Sequence, residues 1–115
     1  MKVLIVEPRQ TPRRADIPHT LRDMQQTVGG YIEIIRPFDD PVVLVCDEEG
    51  KLKGMPLNIK ATMLSGIHRH GDCIVGDAVV CSHNGNSDTV GLTQSQENAL
   101  RAILAAIDAS VPKSA

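Results

Sequence analysis

Aromatic side chains are nearly missing from this chain of 115 residues, which has no tryptophan, one tyrosine (Tyr31) and one phenylalanine (Phe38). Proteins that read single-stranded nucleic acid stack bases on aromatic rings, so the scarcity argues against that class. It also means that the core has to be aliphatic. An excess of one charge sign is missing too. The formal net charge is −2, without the basic excess that marks a nucleic-acid or anionic-membrane binder. No apolar run approaches the roughly 18 residues of a membrane span, and MKVLIVEP is too short for a secretory leader. The cysteines are few and odd in number: Cys46, Cys73 and Cys81 lie in or beside apolar runs. Free thiols in a reducing cytosol are the natural expectation. Catalytic signatures are absent as well, with no G-x-S-x-G elbow, no H-E-x-x-H and no glycine-rich phosphate loop.

What is present describes one compact unit. A chain of this length buries roughly two-thirds of its unfolded surface, enough for a core without staples. Residues 2–7, KVLIVE, read as a strand ended by Pro8. Residues 8–18 carry three prolines and three arginines and read as a loop, with a brief extended piece at 15–17. Thr20 then stands as an N-cap with Asp23 three positions on, and Leu21, Met24 and Val28 share one helical face up to Gly29.

YIEIIR and PVVLVC are rich in β-branched residues and read as strands around an FDD corner; the second is apolar on both faces, as an interior strand is. DEEG followed by KLKG reads as an acidic turn into a third strand, which predicts a three-stranded antiparallel meander over 31–54. Residues 55–70 leave two readings open, a helix over 59–64 capped by Asn58 or an extended loop. CIVGDAVVC, 73–81, reads as a strand with a bulge at Gly76-Asp77, and Asn84-Gly85 as a reversal. The last helix is the clearest, with Thr93 and Gln96 as a capping box and a stripe of Leu100, Ile103, Leu104, Ile107 and Val111 before Pro112.

Consecutive strands without helices between them favour α+β: a mostly antiparallel twisted sheet, with a short helix and a long C-terminal helix on one face. The domain is expected over 1–111, with 112–115 a frayed tail.

The run VGGYIEII, then VCDEEGKLKGMPLN, then CIVGDAVV and a helix beginning LTQSQ, resembles domain-of-unknown-function family 3846. The likeness is specific at Gly30, Tyr31, Ile32, Glu33, Glu49, Gly50, Gly54, Pro56 and Asn58, and looser over 9–19 and 60–72. It implies an α+β fold and an accessory protein of phages or mobile elements of Gram-positive bacteria, working in the host cytosol. It implies no reaction.

Chemistry concentrates in GIHRHGDC, 66–73. In an extended segment His68 and His70 face the same side, and Cys73 could complete a zinc site. The pattern has no second ligand pair, and the segment reads rather as an exposed polar turn entering the strand at Cys73, with Asp72 holding the turn. A cluster of Arg9, Arg13 and Arg14 suits phosphates or an acidic partner, with Tyr31 and Asn58 as further ligand candidates. Tyr31 also suits a core position and Asn58 a helix cap. Asp47, Glu48 and Glu49 offer an acidic edge for a protein partner.

Three functions compete. The first is a non-enzymatic phage or mobile-element accessory that inhibits a host defence or regulatory protein, or sequesters an anionic small molecule such as a signalling nucleotide. Such a protein needs no cofactor, and an exposed sheet edge would let it form a homo-oligomer. The second is a small metal-dependent enzyme at His68, His70 and Cys73. The third, a nucleic-acid accessory factor using the 9–14 arginines, is disfavoured by the overall charge.

Overall fold

A computed structural model describes residues 1–36, 41–84 and 89–111. The FDD corner, the residues 85–88 of the expected reversal, and Pro112 with the tail lie outside the described residues. Strands β1 (Lys2–Val6), β2 (Arg13–Asp16), β3 (Ile32–Ile35), β4 (Val42–Asp47), β5 (Ala78–His83) and β6 (Thr89–Val90) form one antiparallel sheet. Its order is β2-β1-β5-β4-β3, with β6 on the far end of β5. Among the described residues three α-helices accompany it: α1 (Leu21–Val28), α2 (Ile59–Ser65) and α3 (Gln94–Ser110). The α+β class, the antiparallel sheet, the short helix and the long C-terminal helix are therefore as expected.

Strand alternation divides the core in two. Val3 and Ile5 of β1 point to one face with Val43, Val45 and Val79, and α1 covers them with Met24 and Val28. Leu4 and Val6 point to the other face with Leu44 and Val80, beneath Ala61 and Leu64 of α2 and Leu100 and Leu104 of α3. Helices on a single face are thus corrected to helices on both. The reason lies in β4, where every residue is buried. One helical layer would leave a full valine face in water, at roughly 25 cal/mol for each Å² of apolar surface.

The expected third meander strand is a second correction. Residues 48–54 form successive turns closed by Gly50 N–H to the Asp47 carbonyl, Lys53 N–H to Glu49 and Gly54 N–H to Lys51. The side of β4 away from β3 is occupied by β5, so no ladder is left for KLKG to join. The strand expected over 73–81 begins only at Ala78. Gly76 has φ +74, outside the strand region, and its N–H goes to the Pro56 carbonyl.

Local signals set the helix ends. Thr93 and Gln96 form the full capping box of α3. Thr20 accepts from Asp23 N–H, and Gly29 ends α1 in the left-handed conformation. Leu21, expected on the apolar face, is exposed, so α1 buries only Met24 and Val28. Of the two readings for 55–70, the helix holds, with Asn58 capping it at Ala61 N–H. Among the described residues no helix is long and apolar enough to cross a membrane.

Candidate functional site

The arginine segment is the one that the sequence singles out for anions. Arg13 Nε lies 2.9 Å from Glu7 Oε1. Arg14 grips Glu97 with both ends of its fork, Nε to Oε1 at 2.8 Å and Nη2 to Oε2 at 2.9 Å. Glu97, buried on α3, also accepts from Arg101 Nε at 3.1 Å. The hydrogen bonds and charge of Arg14 hold the Glu97 carboxyl below the usual range against the opposing effect of burial, and the same contacts raise Arg14. Two of the three arginines therefore fasten the edge strand β2 to its neighbours. Arg9 is exposed.

Asn58 is not free for a ligand, and the cap reading is the one the structure realises. It is fully buried. Its Nδ2 donates to the carbonyls of Val6 and Gly76, both at 2.8 Å, while Oδ1 accepts from Ala61 N–H at 3.1 Å. One amide thereby joins β1, the segment before β5 and the start of α2. Beside it, Thr62 Oγ1 accepts from Ile74 N–H at 2.8 Å and donates to the Asn58 carbonyl at 2.7 Å. Tyr31 is not core: it is 67% exposed, at the edge of a shallow recess with Gln25 and Lys53.

The acidic edge divides. Glu48 and Glu49 are exposed, whereas Asp47 is buried and held by Lys53 Nζ at 2.7 Å and Glu49 N–H at 2.8 Å. Burial alone would raise its carboxyl; Lys53 and the Glu49 amide outweigh it and hold the group below its ordinary value.

GIHRHGDC is not extended. Residues Ile67–His70 form a 3₁₀ turn between two left-handed glycines, Gly66 at φ +73 and Gly71 at φ +74. The strand alternation on which the expected alignment of His68 and His70 rested is therefore absent. His68 and His70 open onto one cavity, whereas Cys73 lines another, of ≈ 80 Å³, with Cys46 and the ion-paired Lys51 and Asp72. Among the described residues no cluster of three His, Cys, Asp or Glu side chains is placed to hold a metal ion. The turn reading is the one realised.

The cavity that takes the histidines is the one that sequence reasoning missed. It is an open groove of ≈ 540 Å³ where β3, the end of α2 and the last turns of α3 meet. Its floor is apolar, from Ile35, Met63, Ile67 and Ile103; Ile103 is 46% exposed on the flank of a helix whose Leu100 and Leu104 are buried. Arg36, His68, Arg69 and His70 ring it. Neither Arg36 nor Arg69 has a carboxylate partner among the described residues. The available signal was Ile103, part of the expected α3 stripe yet placed between the two residues that face the sheet.

The family model described as Domain of unknown function (DUF3846) matches residues 1–105. No curated protein and no solved structure matches the chain.

Proposed function

The chain belongs to the DUF3846 family, and for this member we propose a non-enzymatic binding protein that takes an acidic, partly apolar segment of a host protein into the groove between β3, α2 and α3. The accessory role that the family resemblance implies, in a phage or mobile element acting in a host cytosol, is the setting of this reading. One observation carries it: an apolar floor ringed by Arg36, His68, Arg69 and His70. Apolar surface rimmed by polar groups is a common mark of protein contact. Two arginines on its rim favour partners of opposite charge and speed their encounter. Neither competing function gains support, because Cys73 and the histidines serve different cavities and two of the three arginines are bound to carboxylates.

Tagged protein expressed in a bacterial host, followed by mass spectrometry of what copurifies, tests the reading when wild type is compared with Ile103→Asp and with Arg36→Glu/Arg69→Glu. The expected result is a captured protein with an acidic segment whose affinity falls about tenfold or more in each variant, roughly 1.4 kcal/mol. A partner held equally well by both variants overturns the reading.

A further inference from the structure

Lys60 is a cation in an unusual position. Its side chain is only 9% exposed, on the inner side of α2. Nζ donates to the Gln10 carbonyl at 2.5 Å, and its carboxylate neighbour, Asp108 on α3, lies 3.9 Å away and is 66% exposed. An ammonium has three donors, and a buried one is costly to leave without a close counter-charge. Here one neutral oxygen is close and the carboxylate is at the limit of contact.

The space beside Lys60 explains what the remaining donors can meet. A cavity of ≈ 310 Å³ lies between Thr11 and Pro12, Lys60, and the α3 residues Arg101, Leu104 and Asp108. Arg101 uses Nε on Glu97 and Nη1 on the Pro12 carbonyl at 3.3 Å, so its other terminal nitrogen has no bonded partner among the described residues. Glu97 is already shared between Arg14 and Arg101. Among the described residues around the cavity, three cations (Lys60, Arg14, Arg101) thus stand against two carboxylates (Glu97, Asp108), one positive charge in excess. Pro12 and Leu104 give the cavity an apolar side.

We propose that this cavity binds a small phosphorylated compound, its oxyanion held by Lys60 and Arg101 and a short apolar body laid against Pro12 and Leu104. The oxyanion takes the place beside Nζ that Asp108 fills loosely, and Asp108, being exposed, turns to solvent. The volume is at the lower end of small-molecule sites, which suits a single phosphoryl group with a small ring rather than a dinucleotide. This cavity and the groove share no lining residue, so the fate of either reading leaves the other standing.

Titration of ¹⁵N-labelled protein with phenyl phosphate, with inorganic phosphate as the second probe, tests the site. Expected are saturable shifts at the amides of Thr11, Lys60, Arg101 and Ala105, with phenyl phosphate the tighter probe. Lys60→Met should abolish the response, and Asp108→Asn should tighten binding several-fold by removing the competing carboxylate. If Lys60→Met does not fold, Arg101→Gln against Asp108→Asn decides, the first weakening and the second tightening. No saturable response, shifts centred elsewhere, or equal affinity in these variants overturns the proposal.

Discussion

Lys53 Nζ stands 2.7 Å from the buried carboxylate of Asp47 and 3.0 Å from the Gly29 carbonyl that ends α1. This pair turns what reads locally as a hairpin into a coil folded back on the first helix. It also accounts for Gly30, where a Cβ would lie 2.8 Å from Asp47 Oδ2 and 2.5 Å from Lys53 Nζ. The glycine and the acidic turn, both in the segments that carry the family likeness, belong to one contact.

Removing either partner of that pair has unequal consequences. Lys53→Met leaves a buried carboxylate with one amide bond and should cost about 2–4 kcal/mol. Asp47→Asn keeps a hydrogen-bonding side chain and should cost about 1–2 kcal/mol. Urea denaturation of both variants and of the double variant measures the coupling. Losses below about 0.5 kcal/mol for both would mean that the turn is held by other contacts.

Acid should weaken the fold in a defined window. Asp47 and Glu97 have folded values below their ordinary 3.8 and 4.5. Groups depressed in this way stabilise the fold above the unfolded value and lose that contribution as pH falls through the folded one. Stability contributed by these two groups should therefore be flat near neutrality and fall below about pH 4, and Glu97→Gln should make the fall shallower. Asp77 has the opposite sign: burial, with repulsion from Glu7, raises it against the pull of Arg13. A raised carboxyl costs stability above its folded value, so Asp77→Asn should be neutral or stabilising at pH 7. Denaturation midpoints across pH 2.5–8 check both signs, and an unchanged acid slope in Glu97→Gln would refute the first.

How much of this was legible follows the range of each interaction. The capping box of α3 and the Thr20 cap of α1 lie within four residues, so the sequence states them directly. The apolar run from Val42 to Cys46 marks β4 as an interior strand, but did not by itself place helices on both faces. Which helix covers which face depends on how α1 enters the sheet, and no local pattern carries that. Arg14 and Glu97 are 83 positions apart, and an arginine bound to a distant buried carboxylate looks, in sequence, the same as one awaiting a phosphate. The groove is assembled from Ile35, Met63 and Ile103 on three separate elements. His68 and His70 were legible as a pair and line one cavity; that Cys73 lines another was not legible, because a 3₁₀ turn replaced the extended segment.

The thiols should separate by environment. Burial pushes Cys46 up to about 11, with Glu33 and Asp47 adding to it, and pushes Cys81 up to about 12. Alkylation needs thiolate, so neither should react at pH 8, whereas the part-exposed Cys73 should. Intact-mass analysis after iodoacetamide is expected to show one adduct on the native protein and three in denaturant. Adducts on Cys46 or Cys81 under native conditions would show that the sheet opens on the time scale of the reaction.

Asn58 permits the sharpest test of the fold, because its two halves do different work. Oδ1 caps α2, and aspartate performs that task as well as asparagine. Nδ2 donates to the carbonyls of Val6 and Gly76, and a carboxylate placed there would face two acceptor oxygens with no proton to offer. Asn58→Ala, which removes the side-chain partner of two buried carbonyls and of one amide N–H, should cost about 2–4 kcal/mol. Asn58→Asp should cost more at pH 7 despite keeping the cap. The ranking should narrow or reverse as pH falls, since protonation restores one donor to the aspartate variant and nothing to the alanine one. Parallel denaturation of the two variants at pH 7 and pH 5 measures the difference directly. If the aspartate variant is the more stable at pH 7, capping outweighs the cross-link, and the amide does not hold β1 to the segment before β5 in the way its geometry indicates.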